Sequence, residues 1–156
     1  MFWKTAWRRW RQQRMARRVT PDVVRARVAR GAAYLDAVDP GWHHRLDLAT
    51  LTLADGTCCV LGQLHGEFRQ GLFRTGILNA GSAPRASLSP VALGFQAVQG
   101  VAPELQERDY ALLEAAWRAA IRQRRRSELH GAEDAPHGLV ERFEALEASL
   151  DPLETP

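Results

Sequence analysis

The chain has 156 residues, of which 46% are hydrophobic and 25% charged, and this is the size and composition of one globular domain. No run approaches the ~20 apolar residues of a membrane-spanning helix, which excludes a transmembrane segment. The net charge of +3 is small because the opposite charges of the two ends nearly cancel. Residues 1–30 carry ten cations and one anion, whereas residues 128–156 carry one cation and eight anions.

The first 19 residues predict a basic N-terminal helix with a short aromatic face. Phe2, Trp3, Ala6, Trp7 and Trp10 share one helical face at spacings of three and four residues. The next positions on that face are Arg14 and Arg17, so its apolar part ends there. The arginines of this segment also leave no apolar stretch that could serve as a secretory signal.

Three start signals in a row predict a second helix. Thr20 is a suitable N-cap, Pro21 fits the first helical position and Asp22 places an acid in the first turn. The predicted buried face consists of Val24, Val28, Ala32 and Leu35. We expect the helix to end at Asp39-Pro40-Gly41.

The segment from residue 50 to residue 61 allows two interpretations. Two β-prone runs flank Asp55-Gly56, which predicts a short hairpin. Alternatively, Thr57 caps a helix over residues 57–69 with apolar side chains at helical spacing. We prefer the helix, because an isolated two-stranded hairpin is marginally stable.

The rest of the chain predicts a loop-rich middle followed by two helices. Residues 71–103 are rich in glycine and proline, and a helix begins near Pro103 with Leu113, Trp117 and Ile121 on its buried face. We therefore predict a mainly α, single-domain fold, with an α+β fold containing one hairpin at residues 50–61 as the alternative. The predicted parts are a basic helix at 1–19, a helical core at 20–126, a polar linker at 127–138, and an acidic helix and tail at 139–156.

Several short strings lie within residues 30–121, and the most specific of them is Cys-Val-Leu-Gly-Gln-Leu at residues 59–64. Together these strings resemble a group of small uncharacterised proteins of actinobacteria and their phages. The resemblance implies an origin in a phage or mobile element, and it favours the helix over the hairpin at Cys59. It supplies no activity and no catalytic residues.

Few residues of the chain support a catalytic or metal site. The two cysteines of the chain, Cys58 and Cys59, are adjacent, which suits neither a disulfide framework nor a compact metal motif with His43, His44 or His65. No phosphate-binding glycine loop is present. We expect free thiols, a cytoplasmic location, and neither a cofactor nor a metal.

The N-terminal helix carries the most informative chemistry, because arginine neutralises phosphates and tryptophan stacks on unpaired bases. A non-catalytic protein that binds nucleic acid with weak sequence specificity is the leading interpretation. The alternatives are a protein-interaction or self-assembly module and, as a second alternative, association with an anionic membrane surface. The stacking or anchoring residues are Trp3, Trp7 and Trp10. The predicted anion-binding residues are Arg8, Arg9, Arg11, Arg14, Arg17, Arg18, Arg122, Arg124, Arg125 and Arg126.

Overall fold

The protein is mainly α-helical, as predicted. The computed structural model describes residues 2–17, 19–78 and 89–150, and these ranges contain no β-strand. The predicted alternative with a hairpin at residues 50–61 is therefore wrong. The helices of the described ranges are α1 (Phe2–Ala16), α2 (Pro21–Val38), a 3₁₀ helix (Trp42–Arg45), α3 (Val60–His65), α4 (Phe68–Arg74) and α5 (Pro103–Leu150).

The chain divides into two compact units, Met1–Ile121 and Arg122–Pro156, and α5 contributes residues to both. The first unit contains the core, and the second consists, in its described part, of the C-terminal portion of α5. Among the described residues, no helix is both long enough and apolar enough to cross a membrane.

Helix α2 begins and ends where its local signals predict. Thr20 is the N-cap, its side chain accepts a hydrogen bond from the backbone N–H of Val23, and Pro21 occupies the first turn. Asp39 is the C-cap. The predicted face of α2 is buried in the core: Val24, Val28, Ala32 and Leu35.

The predicted helix at residues 57–69 is replaced by two shorter helices. Helix α3 begins later because Cys59 is its N-cap, with Sγ accepting a hydrogen bond from the backbone N–H of Gly62. Thr57 instead donates to the carboxylate of Asp55. Helix α3 then ends at Gly66, whose φ of 92° lies outside the helical range and is accessible to glycine.

The centre of the core is aromatic. Trp117 stacks on Phe95 with 5.2 Å between ring centroids, and it meets the edge of Trp42 at 5.7 Å. The indole N–H of Trp117 donates to the backbone oxygen of Gly94 at 2.7 Å, so its polar atom is satisfied inside the core. Leu113 and Ile121 are fully buried on the same face of α5, which confirms the predicted stripe.

A buried ion pair joins three parts of the fold. Arg27 of α2 donates through Nη1 to both carboxylate oxygens of Asp109 of α5, at 2.9 and 3.0 Å. Its Nε and Nη2 donate to the backbone oxygens of Val91 and Gln96. Asp109 also accepts a hydrogen bond from the backbone N–H of Val98. These contacts hold the segment 91–98 between α2 and α5.

Helix α5 continues to Leu150 through residues 127–138, the range of the predicted polar linker. Gly131 and Pro136 are poor helix formers and suggest a break that the helix does not have. The neighbouring sequence is rich in alanine and glutamate, which favour helix. The side chains of residues 131–150 lie outside the described part of the structure.

The buried ion pair predicts a large loss of stability when one partner is removed. Arg27→Met leaves the Asp109 carboxylate buried without its cation, and we expect a loss of about 3–5 kcal/mol in the free energy of unfolding. Urea denaturation measures it. As a control, Arg25→Ala removes an exposed ion pair with Asp22 and should cost less than about 1 kcal/mol. An Arg27→Met variant as stable as the Arg25→Ala variant would contradict the assignment.

Candidate functional site

The tryptophan face of α1, formed by Trp3, Trp7 and Trp10, is exposed. The exposed fractions are 86%, 53% and 54%, and the three side chains line a shallow surface hollow together with Ala6. The core therefore does not bury this face. A contiguous exposed patch of large apolar side chains on a folded protein usually marks an interaction site.

The charge of α1 is entirely positive. The helix contains five cations and no acidic residue. The guanidinium carbon of Arg14 lies 5.2 Å from the centroid of the Trp10 ring, within the range of a cation–π contact. Arg14 and Arg17 are both exposed. Helix α1 thus combines unburied aromatic rings with cations at their border.

The other predicted anion-binding residues have different positions. Arg8, Arg9 and Arg11 belong to α1, but their side chains lie outside the described part, as does the whole of Arg18. The second arginine group lies in the C-terminal unit, where α5 presents Arg122 and Arg126 as exposed side chains and Arg124 and Arg125 as partly exposed ones.

A cleft of about 630 Å³ lies where α1, α2 and the segment 89–99 meet. Its apolar lining is Met15, Val23, Val91, Ala92 and Val98. This volume falls within the range of small-ligand pockets in proteins, and a mainly apolar lining is typical of them.

Four polar side chains complete the cleft: Arg27, Arg30, Ser89 and Gln99. Arg30 is exposed, and its Nε and Nη2 both donate to the backbone oxygen of Ala92, at 3.2 and 3.1 Å. These two bonds hold the planar guanidinium of Arg30 beside the apolar wall. The ion pair of Arg27 with Asp109 holds the deeper part of the same wall.

Sequence reasoning missed this cleft, although one signal for it was present. Arg27 and Asp109 are charged residues on the predicted buried faces of α2 and α5, three and four residues from the apolar positions Val24 and Leu113. Two opposite charges on buried faces indicate a buried pair. Such a pair would have placed α2 against α5.

Cys59 and two exposed acidic residues have structural roles in the described geometry. Cys59 is buried and caps α3. The hydroxyl of Thr57, followed by the backbone N–H groups of Cys58 and Thr57, lowers the pKa of Asp55 to about 2. Asp36 accepts a hydrogen bond from the indole N–H of Trp42. These contacts stabilise turns and helix ends.

The chain matches no protein-family model, no curated protein and no solved structure. The resemblance to actinobacterial and phage proteins therefore stays a prediction.

The two cysteines should differ in reactivity. Burial raises the pKa of the Cys59 thiol and shields it from reagents, whereas Cys58 is partly exposed. We expect Cys58 to react with a thiol reagent at least about tenfold faster than Cys59 in the native protein. Mass spectrometry of the labelled chain, with Cys58→Ser as the control, measures this ratio. Equal rates at the two positions would contradict the burial of Cys59.

Proposed function

We propose that this protein binds nucleic acid with weak sequence specificity, using α1 as its contact surface. The observation that carries the proposal is the exposed tryptophan face of a helix that contains five cations and no acidic residue. A flat aromatic ring stacks on any unpaired base, and an arginine neutralises a phosphate whatever the base. The combination supports affinity without base reading.

The spacing of the rings suits a single strand. Trp3 and Trp7 are separated by about 6 Å along the helix, and Trp7 and Trp10 by about 4.5 Å. Successive unpaired bases can therefore stack on successive rings. Bases inside a duplex offer no free faces, so the proposal favours single-stranded DNA or RNA over duplex DNA.

The electrostatic part of the proposal rests on residues 1–30, with ten cations and one anion. Each phosphate that is neutralised releases condensed counterions, so the affinity falls as salt rises. The cation–π contact between Arg14 and Trp10 supports this arrangement, because it holds a guanidinium beside a ring on which a base would stack.

The alternative is association of the same face with another protein or with a second copy of the chain. The hollow lined by Trp3, Ala6, Trp7 and Trp10 is the observation that favours it, since aromatic rings are common anchors of protein interfaces. A membrane interface is the second alternative, because it also accepts tryptophan and arginine on one helix. Binding to liposomes and formation of a dimer distinguish these two alternatives from nucleic-acid binding.

The proposal predicts that the tryptophans carry the affinity. Replacing Trp3, Trp7 and Trp10 by alanine should weaken binding to a fluorescent oligo(dT) more than about tenfold, because stacking contributes about 1–3 kcal/mol per base. Fluorescence anisotropy measures the affinity. Phe73→Ala is the matched control, since Phe73 is 46% exposed but lies in α4. It should bind as the unmodified protein does.

Salt and competing probes complete this test. The logarithm of the affinity should fall linearly with the logarithm of salt, with a slope of about −0.7 per neutralised phosphate for a single strand. Salt-independent binding, or tryptophan variants with full affinity, would overturn the proposal. If the chain binds anionic liposomes or forms a dimer through α1, and binds no oligonucleotide, the corresponding alternative replaces it.

A further inference from the structure

The cleft between α1, α2 and the segment 89–99 has no role in the stacking that we assign to the tryptophan face. We propose that this cleft encloses one unpaired nucleobase of the strand bound by α1. The inference rests on the proposed function and adds a second kind of contact to it, in which one base is enclosed and the others only stack.

The walls of the cleft suit a base, and its volume is more than enough for one. Its volume of about 630 Å³ is that of a small-ligand pocket. Val23, Val91 and Val98 supply apolar surface for the faces of a flat ring. The guanidinium of Arg30, held by its two bonds to the backbone of Ala92, adds a planar group, and base faces stack on such groups in single-strand recognition.

The polar groups of the cleft fit the edge of a base. The hydroxyl oxygen of Ser89 accepts a hydrogen bond from the backbone N–H of Ala92, so its proton is available for donation. Gln99 donates through Nε2 to the backbone oxygen of Ala97 and retains a carbonyl oxygen that can accept. A base edge carries both hydrogen-bond donors and acceptors, whereas an acyl chain carries neither.

The cleft lies beyond the C-terminal end of the tryptophan face. Met15 of α1 lines it, and Met15 is five residues beyond Trp10, about 7.5 Å along the helix axis and about 140° around it. A strand that stacks on Trp10 and passes Arg14 therefore has to turn around the end of α1 to reach the cleft, which takes a few nucleotides.

The walls of the cleft are held before a ligand binds. Arg27 lines it while bonded to Asp109 and to the backbone oxygens of Val91 and Gln96. A preorganised site loses less conformational freedom on binding, so a single enclosed base can add measurably to the affinity.

A scan of the oligonucleotide tests the inference with the unmodified protein. An oligo(dT) of about eight nucleotides, too short to bind in several registers, carries one 2-aminopurine or one abasic residue at successive positions. We expect one position at which the 2-aminopurine fluorescence changes far more than at the others. The abasic residue at that same position should weaken binding roughly tenfold, the loss expected for one base contact.

A cleft-filling variant supplies the protein side of the test. Val23→Phe enlarges a side chain that is 37% exposed and lines the cleft, so it should block the base while α2 stays folded. Val38→Phe is the matched control, because Val38 is 46% exposed and lies in the same helix outside the cleft lining. Only Val23→Phe should abolish the position-specific signal and the effect of the abasic residue.

The outcomes separate this inference from the proposed function. If no oligonucleotide binds the unmodified protein, the proposed function fails and the inference fails with it. If oligo(dT) binds through the tryptophans but the scan is uniform along the strand, only the inference fails. An abasic effect that persists in Val23→Phe would likewise contradict enclosure in this cleft and leave the function of α1 intact.

Discussion

The guanidinium of Arg27 and the carboxylate of Asp109 meet inside the fold, 82 residues apart in the chain. Burying two charges is costly, and the cost is offset only where the remaining donors and acceptors are satisfied. The backbone oxygens of Val91 and Gln96 and the backbone N–H of Val98 satisfy them here. The segment 91–98 therefore has a defined position between α2 and α5, although it contains neither helix nor strand.

The position of the segment 91–98 also determines the shape of the surface next to α1. The wall that Arg27 holds faces Met15 at the end of α1, and the cleft lies between them. The tryptophan face of α1 lies outside the core and stays exposed. The first unit thus combines a rigid pocket with an exposed aromatic surface. The proposed function assigns stacking and phosphate contacts to the surface, and the further inference assigns one enclosed base to the pocket.

The features of the fold that depend on local interactions, such as helix caps and buried helix faces, could be predicted from the sequence. The cap at Thr20 and the stripe through Trp117 were visible in the sequence, because capping and helical periodicity involve residues a few positions apart. The end of α3 at Gly66 and the passage of α5 through Pro136 were not, because a glycine can lie within a helix or end it, and strong helix formers around a proline can outweigh it. The cleft depends on the ion pair of Arg27 with Asp109, whose two residues lie 82 positions apart in the chain. Of the candidate site, the exposed aromatic face of α1 could be predicted, and the pocket beside it could not.

The central claim is that the exposed tryptophans, and not the buried ones, bind the ligand. The five indole N–H signals in an NMR titration with oligo(dT) test it most directly. Trp42 and Trp117 are buried, and their indole N–H groups donate to Asp36 and to the backbone of Gly94, so they are internal controls. The account predicts that the signals of Trp3, Trp7 and Trp10 shift and that those of the two buried rings stay in place. Unchanged signals from all three exposed rings at saturating oligo(dT) would contradict it.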